Sequence, residues 1–537
     1  MSFKRHNHEK DSGKQLFSRF MVTDMANQKE TDYILPGKAE SYWMATTPES
    51  SYPSLSGDIN VDVAILGGGM VGITTAFLLK EAGIPSVAVI EADRILTGVT
   101  GHTTAKVTSQ HNLIYDRLIS KFGKKQAQQY AESNQAAIDK IASIVSSKNI
   151  ACDFIRKPAY VYAGSEESSG NIRNEVDAAK SLGLPASFES NLSLPFETYG
   201  AIRFSNQAQF HPRKYLCALA REIEGDGCHI FEKTRALKLE GDGPVTITTD
   251  KGVIKANRVI QATHFPIHDK PGLFFQRLYQ SRSYVLGVRI EEPFPHGMFI
   301  NAEEPVRSLR SQPAGEGELI LISGEGHRTG EGSEIDHYRN LEKWIRSVYS
   351  VNSIDYHWST QDVITVDHVP YIGRLTSGNE NLYIATGFRK WGMTTSTVAA
   401  MILTDMILGR SNPWEEVYNP SRFKPVESAK TFFSQAAEAT KGLVGDRIAP
   451  VHKEASQILP GEGSIVKIEG ERVAAYRDET GMLHTLDPSC RHMGCIVSWN
   501  NAEKTWDCPC HGSRYNANGE VIKSPAVYGL LENKVKK

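Results

Sequence analysis

Residues 61–91 read VDVAILGGGMVGITTAFLLKEAGIPSVAVIE. The run VDVAIL (61–66) is continuously apolar and ends in glycines, the pattern of a strand buried on both faces of a parallel sheet. From Val71 to Glu81 the apolar residues recur with helical spacing, and PSVAVIE (85–91) is a second buried strand. Together they predict a βαβ unit of about 30 residues. Its first turn is G-x-G-x-x-G, with Gly67, Gly69 and Gly72. The first glycine permits a tight turn, the second lets the backbone approach a pyrophosphate, and the third lets helix and strand pack closely. The helix N-terminus then faces the phosphates with N–H groups and a partial positive charge. Glu91 closes the second strand, 24 residues after Gly67, where a carboxylate holds ribose hydroxyls. A glycine-rich turn without a ligand is the competing reading; the strand, helix and acid at these spacings argue against it. The loop alone does not separate FAD from NAD.

The chain has 537 residues, of which 40% are hydrophobic and 23% charged. At roughly 150 residues per domain, three to four domain-sized units are expected. The 60 Lys and Arg nearly cancel the 62 Asp and Glu, leaving a net charge of −2. That excludes a nucleic-acid binder relying on a basic surface. No run of about 18 apolar residues exists, so no transmembrane segment is expected. The polar start MSFKRHNHEKDSGKQLF lacks a signal-peptide core and a twin arginine, so a cytoplasmic location is expected.

Residues 1–57 read as a polar leader whose only apolar cluster is Tyr42, Trp43 and Met44. Strands are expected at FIRKPAYVYA, HIFEKTRALKLE, VIKANRVIQAT, SYVLGVRI, ELILISG and NLYIAT. Helices are expected over 113–148, interrupted near Gly123, after His211-Pro212, over 337–349 and from about Thr394 to Leu408. The expected class is α/β for 58–425, a Rossmann-type domain with an α+β substrate domain. Asn412-Pro413, Asn419-Pro420 and Pro425 break structure ahead of a linker helix within 426–455. Residues 456–537 consist of short strands and turns, as in a small all-β domain.

Several segments outside the glycine loop carry a family resemblance. VAILGGGMVG with Glu91, RVIQAT (258–263), DHVPYIG (367–373) and YIATGF…WGM with its helix (383–408) resemble D-amino-acid-oxidase-like FAD-dependent oxidoreductases. The resemblance spans about 58–425 and implies FAD as cofactor, with Gly387 and Gly392 beside the flavin and its ribityl chain. Where many members have small residues after the Gly-Phe pair, this chain has Arg389-Lys390-Trp391. A cation there, Lys390 in particular, would stabilise negative charge on reduced flavin; a solvated surface pair is the alternative. LTGVTGHTTAK (96–106) places His102 where some dehydrogenases of the family hold FAD covalently, although packing or diphosphate contact also fits. A carboxylate-bearing substrate needs a fixed cation. Arg277 and Arg282 are the candidates from a substrate-domain strand, against solvated strand-edge arginines. The apolar loop HFPIHDKPGLFF (264–275) lines the substrate cavity or packs in the core.

Of seven cysteines, Cys152, Cys217 and Cys228 are scattered, as buried small hydrophobes usually are. The other four fall in Cys490-Arg491-His492-Met493-Gly494-Cys495 and Cys508-Pro509-Cys510-His511-Gly512-Ser513. The pattern is C-x-H and C-x-x-H with 15 residues between. Structural zinc and a pair of disulfides are alternatives. A Rieske [2Fe–2S] cluster accounts better for two similar loops. Cys490 and Cys508 take one iron, His492 and His511 the other. Residues 456–537 resemble Rieske domains of the electron-transfer type. The resemblance implies a disulfide between Cys495 and Cys510, with Ser513 and Tyr515 hydrogen-bonding to cluster sulfurs. No 2-His-1-carboxylate set stands out in the flavin half, which disfavours oxygenase chemistry.

A flavin and a one-electron cluster in one chain imply a relay. Electrons pass from a small organic donor, an amine or amino acid by family analogy, to FAD, then to the cluster, then to an external protein or quinone. A redox sensor or docking protein is one alternative. An NAD(P)H-driven reductase is another, although only one dinucleotide fingerprint is present.

Overall fold

A computed structural model of the protein describes residues 34–241, 243–330, 332–422, 451 and 453–533. Most of the expected leader (1–33) and of the linker helix (423–450) lies outside the described residues. Strand Ile59–Leu66 pairs in parallel with Val87–Ile90 on one side and with Val253–Gln261 on the other. His229–Phe231 extends the sheet beyond Val87–Ile90. Leu382–Thr386 lies parallel beside the end of Val253–Gln261. The carboxyl ends of three strands, and the loops at 67, 262 and 387, therefore meet at one edge. That is where open α/β sheets bind ligands. The helices Met70–Glu81 and Gly392–Ile407 pack against each other beneath this edge and are apolar nearly all round, as fully buried helices are.

A second eight-stranded sheet covers the site. Its longest strands, Leu278–Ile290, Gly317–Arg328 and Val351–Thr365, are antiparallel. Side chains alternate across it. Val285, Leu319, Leu321 and Trp358 join the core shared with the first sheet. Tyr284, Leu286, Val288, Ile320 and Ile322 pack instead around helix Glu334–Val348. The helix Tyr115–Ser147 is broken at Gly123, whose φ of +79° only glycine adopts freely.

The leader is less loose than its composition predicts. Ser41 caps the short helix Tyr42–Ala45, Trp43 is buried, and its indole N–H donates to Thr103 O (2.6 Å). The apolar triplet is thus part of the core. Past the last long helix, Tyr418 is buried with its hydroxyl 2.8 Å from Ser133 Oγ. The final domain is all β: a three-stranded sheet (Gly463–Ile468, Glu471–Arg477, Leu483–Leu486) and a four-stranded one (Ser498–Asn500, Thr505–Asp507, Arg514–Asn516, Val521–Lys523).

Candidate functional site

The glycine loop has the steric signature of a dinucleotide cradle. Gly67 has a φ of +109°, and a Cβ there would lie 2.5 Å from Ala262 O. A Cβ on Gly72 would lie 1.9 Å from Gly67 O. Gly69 differs: its Cβ would meet nothing closer than Thr100 Oγ1 at 3.4 Å, so this face stays open for a phosphate. Glu91 accepts from Gly68 N (2.7 Å) and Asp93 N (2.9 Å). Burial pushes its carboxyl up, and the Asp93 and Gly68 N–H groups pull it back. His102 ends the turn Val99–His102 with Nδ1 2.9 Å from Gly98 O. Burial lowers its pKa, and the bond to Gly98 O opposes that.

The loop at 387–392 reaches the same edge. Gly387 has a φ of +79°, with Thr365 Cγ2 2.3 Å from a would-be Cβ. Gly392 opens its helix with nothing nearer than 3.8 Å. Arg389 and Lys390 both adopt left-handed φ, +51° and +70°, a strain that persists where surrounding structure imposes it. Trp391 stacks on His111. Lys390 Nζ donates to Ser283 Oγ (2.6 Å); burial pushes its pKa down, and Asp362 pulls it up.

The two cysteine–histidine loops converge as the spacing predicts. Cys490 and Cys508 are buried free thiols, while Cys495 and Cys510 form a disulfide. The disulfide leaves two thiols and two imidazoles as possible ligands. His492 and His511 lie 5.1 Å apart between ring centroids. Each Nδ1 is buried without a hydrogen-bond partner among the described residues. Two orphaned imidazole nitrogens beside two buried thiols fit a cluster taking two nitrogens and two sulfurs. Tyr515 Oη lies 3.2 Å from Cys490 Sγ. Ser513 also hydrogen-bonds toward that sulfur, and its Oγ accepts from Ala526 N (3.0 Å).

These loops are docked on the flavin half. Phe265 packs edge-on against both His492 and His511, and Phe275 against His511. Gln280 donates to His511 O (2.6 Å) and Gln361 to Gly512 O (2.8 Å). Lys523 Nζ donates to Gln361 O (2.9 Å), and Ser524 Oγ to Thr263 O (3.1 Å). The loop 264–275 packs in the core through Phe265 and Phe274, as one expectation had it, and also covers the histidine edge of the C-terminal domain.

Neither candidate arginine is free to clamp a substrate. Arg282 is 1% exposed; its Nη2 donates to Asp507 (2.6 Å) and its Nη1 to Glu503 (3.1 Å). Arg514 binds the same two acids. Arg282 is thus an inter-domain tie, which corrects the expectation of a substrate contact. Arg277 donates to Pro420 O (2.8 Å) and Gly272 O (2.6 Å) and packs on Phe274 and Tyr371. The residues that sequence reasoning missed, Gln280, Gln361, Glu503, Asp507 and Lys523, are polar groups of this contact. One signal for it was present. The polar run Gln280-Ser281-Arg282-Ser283 interrupts an otherwise apolar buried strand.

Fold and site together define a flavoprotein fused to an iron–sulfur domain. Residues 62–406 match the family of FAD dependent oxidoreductases, and 450–532 match the Rieske [2Fe-2S] domain. The chain belongs to the FAD dependent oxidoreductase family and carries a C-terminal Rieske domain; its cofactors are FAD and a [2Fe–2S] cluster. It is 42% identical to YhfW of Bacillus subtilis (strain 168), whose name assigns it as a Rieske 2Fe-2S iron-sulfur protein, over 95% of this chain and 99% of that one. The γ-glutamylputrescine oxidoreductase of Escherichia coli (strain K12) is 22% identical over 71% of this chain and 91% of its own. Glycine oxidase from Geobacillus kaustophilus superposes with a TM-score of 0.58 at 16% identity, over 68% of this chain and 99% of its own. No described helix is long and apolar enough to cross a membrane.

Proposed function

We propose that the protein is a dehydrogenase of an amine or amino acid that delivers electrons to an external protein or quinone through its Rieske domain. FAD, when bound, would accept a hydride equivalent from the C–H beside an amine nitrogen, leaving an imine and a proton, and the [2Fe–2S] cluster would carry the two electrons singly. The observation carrying this reading is the docking of His492 and His511 under Phe265 and Phe275, on a loop that starts beside the glycine cradle.

Each residue has a task. Gly67, Gly69, Gly72 and the start of the helix Met70–Glu81 receive the pyrophosphate, and Glu91 the ribose. Lys390, held by Ser283, supplies a cation on the second sheet beside Gly326. Cys490, Cys508, His492 and His511 hold the cluster, with Tyr515 and Ser513 donating to sulfur. Phe265 and Phe275 keep water from the histidine edge. A family relative named as an oxidoreductase of γ-glutamylputrescine supports an amine donor.

The test is anaerobic bleaching of the flavin by a panel of amines and amino acids, followed by turnover with ferricyanide and with oxygen. The reading expects bleaching by one donor class and faster turnover with ferricyanide. Bleaching by NADH alone favours the reductase, and no bleaching by any donor favours the sensor.

A further inference from the structure

The last described strand of the C-terminal domain, Val521–Lys523, lies along the cofactor edge of the flavin half. Three hydrogen bonds tie this segment down. Arg235 Nη2 donates to Val521 O (3.1 Å), Lys523 Nζ to Gln361 O (2.9 Å) and Ser524 Oγ to Thr263 O (3.1 Å). Arg235 follows Thr234, whose N–H donates to Glu91 O (2.9 Å), so the first tie stands beside the acid assigned to the ribose. Thr263 N would lie 3.2 Å from a Cβ on Gly67, so the last stands beside the pyrophosphate turn. Residues 521–524 thus run from the ribose end of the crevice to its glycine loop.

Lys523 is the charged residue of that run. Its ammonium donates to one neutral acceptor, Gln361 O, and forms no ion pair among the described residues. Burial pushes its pKa down to about 7; Arg514 and Arg282 add to the shift, while Asp362 and Asp507 oppose it. Its charge also bears on two histidines that stand on opposite sides of the glycine cradle. His264 follows Thr263, on the Gly67 side. His102 ends the turn Val99–His102, which meets the Gly69 side through Thr100: Met70 N donates to Thr100 Oγ1 (3.1 Å). A cation close to both walls faces the gap between them. His264 carries a second sign of a partner in that gap. Its Nε2 accepts from Val363 N (3.3 Å), so the neutral ring keeps its proton on Nδ1. That buried Nδ1 has no partner among the described residues, and a donor so placed fits an acceptor on FAD.

We propose that Lys523 faces bound FAD, so that the C-terminal domain supplies a cation to the cofactor site of the flavin half. Its partner is negative charge on FAD, carried by the diphosphate or by the ring once reduced. The inference rests on FAD as cofactor and not on the identity of the donor.

The test uses the full chain with its cluster loaded. FAD affinity is read from the fluorescence of cofactor released on dilution, and the flavin potential from a spectrophotometric redox titration. Lys523→Met should weaken FAD binding about ten-fold or more if the ammonium meets the diphosphate. It should lower the flavin potential, with oxidised FAD still held, if the ammonium meets the ring. Lys523→Arg should restore most of either change. Ser524→Ala removes the neighbouring domain bond without removing charge, and should leave both readouts near those of the unaltered protein. Unchanged affinity and potential in Lys523→Met overturn the proposal. An equal effect of Ser524→Ala also overturns it, because the change then belongs to domain docking. Should Lys523→Met fail to fold, hydrogen exchange of the unaltered protein decides. The amides of 521–524 should exchange about ten-fold faster once FAD is stripped, with Glu471–Arg477 unchanged. Equal exchange of 521–524 with and without FAD would then overturn it.

Discussion

Two arginines on the same sheet, Arg282 and Arg310, are equally buried and oppositely balanced. Arg282 meets Asp507 and Glu503 across the domain contact, and Arg514 binds the same acids from within the Rieske domain, so two cations balance two anions there. Arg310 donates to neutral acceptors, and the acid that bears on it, Asp153, is bound to Lys214. Burial alone does not assign a role to a cation. Closed charge balance across a contact marks a tie within the fold.

The comparison breaks most visibly at Arg282. Arg282→Met leaves two buried carboxylates with one guanidinium, so the docked form should lose about 3–5 kcal/mol. Thermal unfolding of the Rieske transition, followed by loss of cluster absorbance, measures it. Arg310→Met removes a cation that makes no ion pair among the described residues, and its cost should be about 1 kcal/mol or less. Comparable losses in the two variants would erase the distinction.

Acidity separates the regions next. Burial pushes the Asp507 and Glu503 carboxyls up, but Arg514 and Arg282 outweigh it and hold both below the usual range. The folded values lie below unfolded values of about 4. Their contribution is therefore complete above about pH 5 and is lost only as pH falls through the depressed folded values. Lys106, pushed down by burial and by Arg310, runs the other way. Its folded value of about 7 lies below an unfolded value of about 10.4. Its penalty is full below about pH 7 and fades as pH rises toward about 10. Chemical denaturation of the ligand-free protein should show that gain, and Lys106→Met should flatten it. The smallest effect is expected at the cluster. Tyr515→Phe removes a donor to the Cys490 sulfur and should lower the reduction potential modestly, with the cluster retained, as read by potentiometric titration.

Both cofactor motifs were legible in the sequence because each is local. The steric demand on Gly72 arises within one βαβ unit, from Gly67 O, and the cluster loops keep Cys and His within three residues of each other. The domain contact was not legible. Arg282 finds Glu503 and Asp507 at separations of 221 and 225 residues, and a strand arginine looks the same whether its anion is a substrate or a distant acid. The same holds for Phe265 and Phe275, whose apolar loop suits a cavity, a core or a partner domain. Trp43 was hidden by polar flanks that gave its segment the look of a loose leader.

The central claim is that one donor feeds both centres of this chain. Low-temperature electron paramagnetic resonance after anaerobic mixing with amino acids, with dithionite as control, tests it directly. The account predicts a Rieske signal that grows with the donor that bleaches the flavin. A flavin fully bleached by the donor while the cluster stays silent, yet responds to dithionite, would contradict it.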